Sequence, residues 1–178
     1  MKQKSFPKLT LIAIGHAAIG NLLSLIVTIS LVGLAGIFGT TFLYILAAIC
    51  SIALFFMFTY SGAYKDGERE RKLLARKVIA APAPNKWLVI GGIVAVLFSV
   101  PSILLIFMPE PPFLYLFRLV LSPSVMALSL LFRLESSPGW APFVYMGLYA
   151  LTPIACRMGY NAGFYDKVSL ESIIYKKK

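Results

Sequence analysis

The chain has 178 residues, of which 59% are hydrophobic and 13% charged, with a mean hydropathy of +0.83. That balance excludes an ordinary soluble domain and points to a bilayer. The formal net charge of +10 reads as loops flanking membrane spans rather than a nucleic-acid surface, and implies contact with anionic headgroups.

The first apolar run, Leu9 to Phe38, follows Lys2, Lys4 and Lys8. It is far longer than the ~7–15 apolar residues of a signal peptide, so it is read as an uncleaved span. Ala17, Gly20, Asn21, Ser24 and Thr28 recur in it at helical spacing and make a small, weakly polar stripe suited to close helix packing in lipid. The turn into the second run, Thr41 to Ala63, is expected near Gly39 and Thr40.

Residues 65–86 follow as a basic segment expected on the cytoplasmic side. Asp66 to Ile79 is predicted as a short interfacial helix with Glu68 four residues before Lys72, and Pro82 and Pro84 then make an extended connector. Arg69, Arg71, Lys72, Arg76 and Lys77, with the terminal Lys176, Lys177 and Lys178, are predicted to face lipid headgroups, where each cation contributes about 1 kcal/mol.

The third run, Trp87 to Met108, carries Gly91, Ala95 and Ser99 at four-residue spacing, a second packing stripe. Gly20, Ser24, Gly91 and Ala95 are therefore the expected helix contacts, with the first and third runs at the centre. Phe113 to Phe132 is long enough to cross, yet Arg118 within it would cost about 2.5–3.5 kcal/mol at mid-bilayer, and Pro123 removes a backbone donor. It is read as re-entrant or interfacial. The last run, Trp140 to Phe164, contains Pro153, a candidate kink.

Charge decides the threading. With four spans and both termini inside, only Arg118 and Arg133 among the basic residues lie outside, where Glu110 and Glu135 accompany them; five spans, the alternative, would put the basic tail outside. A hundred-residue echo agrees: Tyr60, Asp66 and Lys77 recur as Tyr160, Asp166 and Lys177. The expected fold is all-α, four transmembrane helices in two parallel-repeat hairpins: residues 1–64, then the cytoplasmic segment 65–86, then 87–164 with the insertion 109–138, and a basic tail 165–178. The echoed Tyr60, Asp66 and their counterparts are read as headgroup-level anchors.

His16, Asn21, Arg118 and Arg133 are the candidate pathway or ligand residues, because polar groups inside a membrane warrant a functional hypothesis and a guanidinium clamps phosphate or carboxylate. The bland readings are an interfacial histidine and arginines snorkelling to headgroups. Cys50 and Cys156 read as packing residues. No metal set, catalytic triad, phosphate loop or dinucleotide fingerprint stands in the sequence, and no cofactor is expected. The expected function is a non-enzymatic integral membrane protein in a bacterial plasma membrane, an accessory or scaffold subunit partnered by a larger membrane protein or itself; a small transporter or channel between the hairpins is the alternative.

Overall fold

A computed structural model describes residues 4–38, 41–79, 81–107 and 141–165. Every regular element among them is an α-helix: α1 (Phe6–Phe38), α2 (Thr41–Ala75), α3 (Pro84–Phe107), α4 (Ala141–Tyr149) and α5 (Thr152–Tyr165). Three of these, α1, α2 and α3, are long and apolar enough to cross a membrane. Arg118, Arg133, the proposed re-entrant segment Phe113 to Phe132, and Lys176 to Lys178 lie outside the described residues.

Helix α1 is built inside out compared with a helix of a soluble bundle. On α1 the buried positions are Leu9, Ala13, Ala17, Gly20, Ser24, Thr28 and Ala35, while Leu11, Ile19, Leu22, Ile26 and Ile29 are exposed. Small and weakly polar residues face protein, and large apolar ones face outward. Water would not drive that arrangement; in lipid, where association rests on close packing and interhelical hydrogen bonds, it follows directly.

Contacts along the seams fix the directions. Gly20 lies against Phe55 and Phe58 of α2, and His16 against Gly62, so α1 and α2 run antiparallel. Their seam is bonded as well as packed: Ser24 Oγ donates to the Ser51 carbonyl at 2.8 Å. Ser51 gives its hydroxyl proton to Ala47, so Thr28 Oγ1 donates to Ser51 Oγ at 2.6 Å. Gly91 of α3 lies under Pro153 and Thr152 of α5; α1 and α3 touch lightly, and α2 packs chiefly on α1 and α5. The centre of the bundle is thus α2 and α5.

The α2–α5 seam is the tightest. A Cβ added to Gly159 would stand 2.5 Å from the Tyr60 carbonyl oxygen, and one on Gly163 would overlap that of Tyr64. The contact advances in the same sense along both helices, so they run parallel. This brings the starts of the two echoed segments, 60–65 and 160–165, side by side at one end, where Tyr60 stacks on Tyr64 with centroids 6.3 Å apart and Tyr160 on Phe164 at 6.0 Å.

Two helix ends differ from expectation. The separate helix expected over Asp66 to Ile79 is the last part of α2, which continues unbroken to Ala75. Its terminus is a left-handed cap at Lys77 (φ 57°), with Val78 N–H bonded to the Leu73 carbonyl and Lys77 N–H to that of Leu74. A lysine holds the place glycine usually takes. The last run breaks at Ala150 and Leu151, where the Leu151 N–H bonds three residues back to Leu148. Pro153 then sits in the first turn of α5, where its missing N–H costs nothing.

Candidate functional site

The polar chemistry of the described chain gathers where α2, α3 and α5 meet. Asp66 and Glu70 are four residues apart, so both carboxylates project from one face of α2, the face turned into the bundle. Their side chains are 2% and 0% exposed. Leaving two carboxylates there without partners would cost several kcal/mol each.

Partners come from far along the chain. Pro84 opens α3 and fixes the register of its first turn, which delivers Lys86 and Trp87 to the carboxylates. Lys86 Nζ donates to Glu70 Oε1 and lies 2.9 Å from Asp66 Oδ2. A lysine in the first turn opposes the helix dipole, and here the carboxylates more than offset that. The Trp87 indole N–H donates to Asp66 Oδ2 at 2.9 Å. From α5, the Tyr160 hydroxyl donates to Glu70 Oε2 at 2.5 Å and accepts from the Ala83 N–H at 3.2 Å. Its ring lies 5.5 Å beneath the Lys86 ammonium, within cation–π range.

Cations rim the cluster. Arg69, 12% exposed, holds Nη2 3.2 Å from Asp66 Oδ1. That is a charge contact and not a hydrogen bond, since neither atom has hydrogen-bonding geometry with a partner among the described residues. Lys4 is near enough to feel Arg69, Asp66, Lys8 and Lys86; partial burial is the main cause that lowers its pKa, and the cations add to it.

No family model matches the chain, and comparisons with curated proteins and with solved structures give no match. The site is therefore read from its own geometry.

The sequence-predicted residues fall elsewhere. His16 is half-buried, with Nδ1 donating to the Ile12 carbonyl at 2.8 Å and the ring laid over Gly62; Asn21 is half-buried one turn beyond Ala17. Gly20 and Ser24 serve the α1–α2 seam, Gly91 the α3–α5 seam, and Ala95 is buried in the common core. Of the basic residues expected to face headgroups, Lys72, Arg76 and Lys77 are exposed, Arg71 is half-exposed and Arg69 turns inward to Asp66. Lys72 pairs with Glu68 at 2.8 Å, the helical order expected of them.

The anchor role expected for Asp66 and Tyr160 gives way to full engagement in the buried cluster, because α3 brings Lys86 and Trp87 onto Asp66 and the close α2–α5 seam brings Tyr160 onto Glu70. Asp166 is outside the described residues. Two signals in the sequence mark this region: the i,i+4 carboxylates Asp66 and Glu70 among just seven acidic residues, and the Gly159-x-x-x-Gly163 spacing typical of close helix pairs.

Proposed function

We propose that the chain is a non-enzymatic integral membrane protein, an accessory or scaffold subunit that works through helix packing and contact with anionic lipid. The observation that carries this reading is one continuous apolar core drawn from all five helices, with Phe55, Trp87, Ile90, Val94 and Cys156 filling the space between the two halves. The Phe55 ring meets Tyr149 at 5.2 Å and Phe98 at 5.7 Å. Close apolar packing of this kind supports a scaffold over an open pathway. The outer faces carry the exposed leucines, isoleucines and phenylalanines that suit lipid or a partner helix.

In this reading α4 and α5 together make a fourth span, both termini are cytoplasmic in a bacterial plasma membrane, and Lys65, Lys72, Arg76 and Lys77 meet the inner leaflet. The parallel course of α2 and α5 supports it, as does the concentration of charge at their shared end. Cysteines placed at Lys72 and Ser172 are expected to resist an impermeant thiol reagent in intact cells and to react after permeabilisation. Labelling of Ser172→Cys alone in intact cells would replace four spans by five.

A small transporter is the second reading, favoured by the buried Asp66–Glu70–Lys86 cluster, since ionisable groups in such places mark ion and proton routes. Purification from native membranes in a mild detergent separates the two. A stoichiometric membrane-protein partner is expected. Ion- or proton-driven uptake by proteoliposomes holding this chain alone would overturn the scaffold reading.

A further inference from the structure

The outward faces of the spans are uncharged over long stretches: Leu11 to Ile37 of α1, Ile45 to Met57 of α2 and Leu88 to Phe107 of α3 contain no Asp, Glu, Lys or Arg. The outward face of α5 departs from this. Ile154 and Met158 are 53% and 62% exposed, as is Leu151 just before the helix at 48%, and between them stands Arg157, also exposed, with half-buried Asn161 one turn on. Arg157 makes no hydrogen bond or ion pair with any described residue.

Its depth follows from the parallel seam. Gly159 lies against Tyr60, which sets Arg157 level with about Phe58, seven residues before Lys65 on α2 and eight before the end of α5. At 1.5 Å per residue it sits roughly 10–12 Å inside the charged end of the bundle. Helical side chains also lean toward their own N-terminus, so the stem of Arg157 starts out pointing deeper into the membrane, away from the nearer headgroups. Snorkelling to that leaflet would have to reverse this lean over most of the side chain's reach. A guanidinium so placed calls for an anion at its own depth.

We propose that the stripe Ile154–Arg157–Met158 of α5, with Asn161 and with Leu151 just before the helix, is the docking face for a membrane-spanning helix of another protein that presents an aspartate or glutamate to Arg157. This rests on the accessory-subunit reading and names its face. The occupant is argued from charge. A carboxylate pairs bidentately with arginine and is strengthened where water is scarce, the apolar residues on either side fit a helix surface, and a second copy of this face would set arginine against arginine.

The test is in-membrane photocrosslinking of the full chain, with a benzophenone amino acid at Met158 and a control at Ile26 on the outer face of α1. The expected result is one protein adduct from position 158, mapped to an apolar segment containing Asp or Glu. Its yield should fall at least about tenfold in Arg157→Leu and Arg157→Glu and persist in Arg157→Lys. Adducts to lipid alone, adducts to this chain, or a yield indifferent to Arg157→Leu would overturn the proposal. A partner that co-purifies yet crosslinks from position 26 sinks the docking face and leaves the accessory role standing; absence of any co-purifying partner sinks both.

Discussion

Gly163→Leu is expected to force α2 and α5 apart and leave no stably folded bundle in detergent. The obstruction is backbone: a Cβ at this position overlaps the Tyr64 carbonyl oxygen, and Gly67 and Gly159 meet the Tyr160 and Tyr60 carbonyls in the same way. A flexible side chain can step aside, but a carbonyl already engaged in a helix cannot. Overpacking in a closed core costs about 1–3 kcal/mol and occasionally more, and here the shift would also strain the cluster that lies across the same seam. Thermal unfolding followed by size-exclusion chromatography is the measurement, with Gly163→Ala as the milder step. Gly15→Ala and Gly147→Ala are the controls. Both glycines have open space where a Cβ would stand, and alanine favours helix by about 1 kcal/mol, so those variants should melt no lower than the parent. A Gly163→Leu protein as stable as the parent would refute the close α2–α5 approach.

The second large effect is expected from Lys86→Met. This change keeps the length and apolar stem of the side chain and removes the ammonium that lies between Asp66 and Glu70. Breaking a buried pair by removing one partner costs about 3–5 kcal/mol, because the remaining charge stays buried and uncompensated. Adding Glu70→Gln to Lys86→Met should recover much of the loss, since an amide can still accept the Tyr160 hydroxyl without carrying charge. The double-mutant cycle, measured by chemical denaturation in detergent, reads the coupling directly. Equal losses in the single and double variants would mean that the Lys86 ammonium does not compensate the Glu70 charge.

Much of the helical frame was legible in the sequence because lipid imposes a simple rule. Runs of about 20 apolar residues at Leu9 to Phe38, Thr41 to Ala63 and Trp87 to Met108 correspond to α1, the first part of α2, and α3. The small-residue stripe of α1 also reads correctly, since Gly20, Ser24 and Thr28 need only local periodicity to be seen. The end of α2 was less legible. A drop in hydropathy after Ala63 looks like the end of a helix, yet helix propensity continues through Glu68, Arg69, Glu70 and Lys72, and α2 runs on to Ala75.

The charge cluster was the hardest to read, for a different reason. Glu70 bonds to Lys86 sixteen residues away and to Tyr160 ninety residues away, and no window of sequence contains both relations. Trp87 and Tyr160 each stand beside a lysine or at the end of an apolar run, the pattern of an interfacial aromatic. The parallel approach of α5 to α2, made possible by Gly159 and Gly163, turns Tyr160 into a donor to Glu70, and α3, docked on α5 at Gly91, brings the Trp87 indole to Asp66.

That long-range closure has a bearing on biosynthesis. Ribosomes add roughly 5–20 residues per second, so Glu70 waits on the order of 5–20 s before Tyr160 exists to cover it. During that interval Glu70 lacks the hydroxyl donor that it has in the folded bundle. The cluster is therefore complete only after Tyr160 has been added and α5 has settled on α2.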